Sequence, residues 1–362
     1  MAARRAAAGP KAPKPGAPRA LPFAPRLIAW QKKHGRHDLP WQRTRDAYRI
    51  WLSEIMLQQT QVATVIPYYE RFLAEFPDVH ALAAAPIDRV LELWSGLGYY
   101  RRAHHLHEAA CAIVARHGGA FPRDAESIAT LPGVGRSTAA AIAAFAFGQR
   151  TAILEGNVKR VLARHRGVEG YPGAPKVQAK LWSIAESLLP SADIDVYTQA
   201  LMDLGATVCT RSAPRCGACP VAVDCVALAS DRVAFLPSPR PAKDRPKRAV
   251  RVLLMEHAGT MLLEKRPALG IWAGLWSLPE LDPAADVAQH CKARYAAGVE
   301  VGDELDPIEH GFTHYQLTMH PQRVIVRTRP SRAEAPGMLW LTREDALAAA
   351  LPAPIRKLLE QL

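Results

Sequence analysis

LPGVGRSTAAAIAAFAFG, residues 131–148, is the stretch on which the reading of the larger part of this chain turns. Leu131 and Pro132 close the helix expected over DAESIATL, residues 124–131. The Ala-rich run that follows is a helix former throughout. Two helices joined by a Gly-rich hairpin are therefore expected. Gly133 and Gly135 tolerate positive φ and allow close backbone approach. The free N–H groups that open the second helix, with the positive end of its dipole, make an anion site. Such a site suits a DNA phosphate and reads no base. Gly133, Gly135 and Ser137 are its candidate residues. As a bare motif the turn serves equally well as a packing corner, so its surroundings decide its use.

Those surroundings are helical. Apolar residues recur at helical spacing in IWLSEIMLQQTQVATVIPYYERFLAEF, residues 50–76, and in KVQAKLWSIAESLL, residues 176–189. Residues 236–249, LPSPRPAKDRPKRA, are rich in proline and bases and read as an extended linker. Beyond it the period changes. VRVLLMEHAGTMLLEKR, residues 250–266, reads as two strands around a turn, and GFTHYQLTMHPQRVIVRT, residues 311–328, as another pair. Helical stretches near 283–297 and 342–361 complete an α+β domain. The expected organisation is multidomain. A basic, disordered arm covers 1–22, a helical domain 23–229, the linker 230–249 and a smaller α+β domain 250–362.

The chain has 362 residues, 49% hydrophobic, and a formal net charge of +12. That excess suits a polyanionic partner such as nucleic acid. No apolar run reaches transmembrane length. The arm has five basic residues and no acid up to residue 20, and lacks the apolar core of a secretory signal.

Six cysteines occur, four of them in CTRSAPRCGACPVAVDC. Cys209, Cys216, Cys219 and Cys225 give C-x6-C-x2-C-x5-C, a set that can enclose zinc or a four-iron cluster. Spacing alone does not choose between them. Arg211 and Arg215 lie between the first two ligands, placed to meet phosphates. Cys111 and Cys291 stand apart and read as buried small hydrophobes.

The hairpin, an acid in LEGNVKR at 154–160 and the cysteine array together resemble the iron–sulfur helix-hairpin-helix DNA glycosylases. WLSEIMLQQTQVATVIPYYERF, LWSGLGYYRRA, LPGVGRSTA and QALMDLGATVCTRS resemble the adenine DNA glycosylases of the MutY type in particular. The resemblance covers roughly residues 25–229. The remainder resembles that family's C-terminal domain, a relative of the MutT/Nudix fold. Its hydrolase signature, an REUXEE-like acidic helix, is absent after GIWAGLWSLPEL, so pyrophosphate hydrolysis is not expected.

The resemblance implies an all-α helix-hairpin-helix glycosylase domain with a [4Fe–4S] cluster loop, joined to a Nudix-like domain. It implies a monomeric, cytoplasmic, nucleoid-associated base-excision-repair enzyme, with no membrane partner. Its substrate would be double-stranded DNA bearing adenine opposite 8-oxoguanine or guanine. Cleaving that bond needs an acid for the departing base and an anion for the sugar cation. The base must first leave the stack. Glu54 falls on the family's general acid, which protonates adenine N7 and then helps activate water; its apolar run favours the protonated form. Glu155 falls on the cation-stabilising carboxylate, where the family has Asp in LDGNV. The extra methylene places the carboxylate about 1.5 Å further out unless the side chain folds back, and Glu is a poorer N-cap than Asp. Asn157 falls beside it, positioning water or the carboxylate, and Lys159 lies near the site.

By the same resemblance, Leu39, Trp41 and Gln199 surround the flipped adenine. Gln59, Thr60 and Leu97 contact the opposite base, and Tyr99 wedges into the duplex with Tyr100 as its core neighbour. Phe312, Thr313 and His314 fall on the loop that reads 8-oxoguanine, with Thr where the family has Ser. An endonuclease III-type lyase is disfavoured, because its chemistry needs a Lys amine where this chain has Ser137. A mismatch sensor that binds without turnover is the remaining alternative.

Overall fold

The computed structural model describes residues 21–241, 244–268, 270–312, 314–327 and 336–362. The expected arm lies outside them except for its last two residues, and so does Thr313. The chain forms two compact units. Among the described residues, one comprises those of 21–36 and 154–238, the other those of 37–153 and 239–362. The helical region thus belongs to both units, and neither boundary falls at residue 229.

In the first unit the Phe23–His34 helix packs on the Ile194–Asp203 helix. The Gly156–Arg166 helix lies against the latter and against the Pro175–Ser187 helix. A single π-helical turn, Leu204–Val208, leads into the cysteine loop. Such turns concentrate at functional sites.

In the second unit the Ala47–Leu57 helix starts at Asp46, whose carboxylate accepts the N–H groups of Tyr48 and Arg49. Helices Val62–Glu75, Arg101–His117 and Arg136–Phe147 pack on it, and Ile87–Trp94 packs on the first two. The fully buried Trp51, Phe72 and Trp94 fill the middle. The hairpin forms as its sequence predicts, between Ala125–Ile128 and Arg136–Phe147. Gly133 has φ +73°, and a Cβ there would stand 2.6 Å from that of His105. Gly133→Ala should therefore cost about 1–3 kcal/mol in a denaturant titration; an unchanged midpoint would refute that. Gly135 departs from expectation: its φ is −88° and a Cβ would meet open space. Its backbone is ordinary because it only starts the helix.

The C-terminal part is a mixed sheet. Its strands are β1 (Lys247–His257), β2 (Thr260–Lys265), β3 (Trp276–Ser277), β4 (Glu280–Leu281), β5 (Val299–Glu304), β6 (Ile308–Gly311), β7 (Gln316–Val326) and β8 (Met338–Thr342). The central order is β3-β2-β1-β7-β5, with β1 and β7 parallel and the remaining pairs antiparallel. β1 begins inside the expected linker, because Lys247 already pairs with Gln316. Residues 316–326 form one strand through Pro321. That proline sits where β7 changes partner from β6 to β5, a place where a missing N–H is tolerated.

Alternate residues of β1 face opposite cores. Val252 and Leu254 meet Ile355 and Leu359 of the Ala353–Glu360 helix. Leu253 and Met255 meet Cys291 and Tyr295 of the Val287–Tyr295 helix. That second helix contains Lys292 and Arg294 but no carboxylate. Cys291 is buried as expected, whereas Cys111 is only half-buried.

The sheet also packs on the helices of its own unit. Lys265 Nζ bonds both oxygens of Asp88 at 2.6 and 2.7 Å. The Tyr100 hydroxyl donates to the Leu351 carbonyl at 3.2 Å. Leu275 and Ala350 belong to the helical core. Among the described residues no helix is long and apolar enough to cross a membrane.

Candidate functional site

Glu155 caps the Gly156–Arg166 helix with its own side chain. Oε2 accepts the Asn157 N–H at 2.7 Å, and Oε1 accepts the Val158 N–H at 2.9 Å. The added methylene is taken up by folding back, so the cap is made although Glu is a poorer N-cap than Asp. Burial pushes the Glu155 carboxyl up, opposed by these two N–H groups and by the Arg160 and Lys159 charges.

Arg160 extends the arrangement. Its Nη2 donates to Asn157 Oδ1 at 2.7 Å and to the Gly205 carbonyl at 2.8 Å, and its Nε to the Cys209 carbonyl at 2.8 Å. Asn157 is thus oriented from behind. Gly205 has to be glycine, since a Cβ would stand 2.4 Å from that of Asn157. Gln199 is 9% exposed and donates to Asp203 Oδ1 at 2.8 Å. Asp203 is fully buried and also holds Arg36 through its backbone N–H and guanidinium.

The four cysteines line one pocket with Arg164, Val208, Ala222, Leu228 and Val233. All four are free thiols. Among the described residues no three His, Cys, Asp or Glu side chains are arranged to hold a single metal ion. Four thiols lining one pocket are a donor set that zinc or a four-iron cluster can use. Burial, then the neighbouring thiols, push Cys219 up to about 11, a penalty that bound iron would remove. The 3%-exposed Arg164 steadies the ring, donating to Thr210 and Arg211 carbonyls at 2.6 and 3.1 Å and to Cys209 Sγ at 3.4 Å. Arg211 and Arg215 are exposed on the loop, and Arg215 also donates to the Thr207 carbonyl at 2.7 Å.

In the other unit Glu54 is half-buried between the buried Ser53 and Ile55. Leu39 precedes the 3₁₀ turn Pro40–Arg43 and Trp41 lies within it; both are core side chains, with Trp41 edge-on to Tyr69. Gln59 is exposed with φ +60°, and Tyr99 is 52% exposed with φ +49°. Two exposed non-glycine residues in the left-handed region stand out on adjoining bends. Leu97 differs from expectation. It is 5% exposed and lies in the core, so in this structure it supports its bend from beneath.

The bends meet on Arg102, which is 7% exposed. Its Nη1 reaches the Ile55, Met56 and Gln58 carbonyls, and its Nη2 reaches Thr60 Oγ1 and the Leu97 and Gly98 carbonyls, all at 2.6–3.3 Å. Burial pulls this guanidinium down to about 10, so it stays charged at neutral pH. Gln58 Nε2 also donates to Thr138 Oγ1, in the second hairpin helix, at 3.4 Å. Ser137 and Thr138 are half-buried there.

At the sheet, Phe312 and His314 occupy the turn between β6 and β7. Phe312 is half-buried among His310, Tyr315 and Trp272, with ring centroids 4.6–5.1 Å away, while His314 is exposed. Lys159 is half-buried on the helix that Glu155 caps.

Sequence reasoning missed Asp203, Arg160, Arg164 and Arg102. Arg160 and Asp203 left a signal, standing three residues after Asn157 and four after Gln199 on their helices, where side chains meet.

Known proteins share this layout. Residues 52–187 match the HhH-GPD superfamily base excision DNA repair proteins, and residues 250–361 match the NUDIX domain. A thermostable thymine-DNA glycosylase superposes with a TM-score of 0.53 at 30% identity, covering 57% of this chain and 95% of that one. The class is thus a helix-hairpin-helix base-excision glycosylase with a Nudix-like domain. Adenine DNA glycosylase of Buchnera aphidicola subsp. Acyrthosiphon pisum (strain APS) is 33% identical over 93% of this chain and 97% of its own length. The Homo sapiens adenine DNA glycosylase is 35% identical over 92% of this chain and 73% of its own. The chain belongs to the adenine DNA glycosylase family and hydrolyses the glycosidic bond of adenine in DNA.

Proposed function

We propose that this glycosylase removes adenine lying opposite 8-oxoguanine or guanine. Glu54 protonates the departing base, and Glu155, oriented with Asn157, stabilises the sugar cation. Leu39, Trp41 and Gln199 form the adenine pocket. Gln59, Thr60 and Tyr99 enter the duplex, with Gly133, Gly135, Ser137, Lys159, Arg211 and Arg215 on phosphates. Phe312, Thr313 and His314 read the oxidised guanine. The observation that carries the substrate reading is the β6–β7 turn: Phe312 packed among aromatic rings beside the exposed His314 imidazole, on a sheet whose 287–295 helix lacks the carboxylates of a hydrolase.

Assays on duplexes containing 8-oxoguanine:A, G:A, T:A and thymine glycol:A test it. Free adenine should appear from the first two, fastest from the first. Equal release from T:A, or excision of thymine glycol, would overturn the reading.

The cysteine ring fits a [4Fe–4S] cluster held by Cys209, Cys216, Cys219 and Cys225. Bound there, the cluster supplies a rigid tie for the loop rather than a reacting group. Cys219→Ser should lower iron and sulfide content, weaken the visible absorbance and reduce DNA affinity through Arg211 and Arg215. Full iron content in that variant would argue against the ligand set.

A further inference from the structure

Arg102 offers four N–H protons on its terminal nitrogens to six acceptors. The acceptors come from three places: the last turn of the Glu54 helix, the bend at 58–60 and the bend at 97–98. The Ile55 and Met56 carbonyls are among the last four of their helix, where the backbone ladder runs out; Ile55 also accepts the Gln58 N–H at 3.3 Å. A cation there also meets the negative end of the helix dipole. From the two bends project Gln59 and Tyr99, both left-handed. Neither conformation suits an L side chain, and such residues persist where their surroundings fix them. Their neighbours are tied to Arg102 here: the Gln58 carbonyl and Thr60 Oγ1 flank Gln59, and the Gly98 carbonyl precedes Tyr99. Arg102 also lies 5.6 Å from the Tyr99 ring centroid, in cation–π range.

We propose that Arg102 is a positioning residue that locks Gln59 and Tyr99 into one register, so that the two bends enter DNA as a single body. This rests on the reading of Gln59 and Tyr99 as duplex contacts. One cation holding both bends makes their positions interdependent, and loss of that cation leaves each bend to relax alone. A plain core arginine would stabilise the fold without linking the two side chains.

A mutant cycle separates these cases. Gln59→Ala, Tyr99→Ala and the double variant are measured for affinity to an 8-oxoguanine duplex carrying 2′-fluoro-2′-deoxyadenosine, whose fluorine suppresses cleavage. Each single change should weaken binding, and the double should depart from their product by about fivefold, as groups in one hydrogen-bond network do. In an Arg102→Lys background, or Arg102→Gln if the lysine variant does not fold, that departure should vanish. Additivity in the wild-type background overturns the proposal, as does coupling that survives removal of Arg102. Unfolding of both Arg102 variants also overturns it, by making the residue a determinant of the fold. Single variants that bind normally would instead refute the duplex-contact reading, and the proposal with it.

Discussion

Glu54→Gln should lower adenine release by about 10²–10⁴-fold, the usual contribution of a general acid, while leaving affinity for the uncleaved duplex unchanged. Adenine departs poorly as an anion, so the bond breaks only when a proton arrives at the ring. Gln keeps the shape and hydrogen-bonding reach of Glu but has no proton to give. The side chain projects from a well-anchored helix: Asp46 fixes one end, Arg102 the other, and Trp51, Leu52, Ile55 and Met56 bury its core face. Because the helix is held at both ends, the substitution should alter chemistry and not placement. Single-turnover release beside gel-shift affinity measures both. An unchanged rate, or a parallel loss of binding, would refute the assignment.

Glu155→Asp should raise the single-turnover rate, by up to about 10²-fold if the displaced carboxylate limits the chemistry. The longer stem has not cost the cap: both oxygens already meet backbone N–H groups of the helix they start. The cost falls instead on position, since a folded-back Glu delivers its charge from a bent stem where Asp would deliver it from a short one. The acid limb of the profile follows from burial. Burial raises the Glu155 carboxyl, and only its ionised form can steady the sugar cation. As pH falls through that raised value the anion is lost and the rate should fall with it. No rate gain in the Asp variant would sink the geometric account. A rate indifferent to acid would sink the electrostatic one.

The hairpin was legible because Gly133 requires what only glycine offers, whereas Gly135 shows that a second glycine in the same motif need not. The cysteine pocket was legible from spacing, and the β1–β2 hairpin from alternation. Pro321 hid the continuity of β7, since a proline reads as a break until its partner strands are known. Arg102 was illegible for a different reason: five of its six acceptors are backbone carbonyls, and carbonyls carry no signature. The tie from Asp203 to Arg36 was hidden by its span of 167 residues. Tyr99 and Gln59 needed the structure too: that they are exposed and left-handed is a property of bends fixed from below.

The placement of Leu275 and Ala350 has an evolutionary consequence. They lie in the C-terminal part, yet they complete the hydrophobic core of the helices at 37–153. A lineage that shed residues 239–362 would uncover Leu91 and Tyr100 and would have to repack or cover that face before its glycosylase could stand alone. The C-terminal part is therefore not a detachable accessory, and drift at Leu275 or Ala350 is constrained by the fold of the helices at 37–153 as well as by its own sheet.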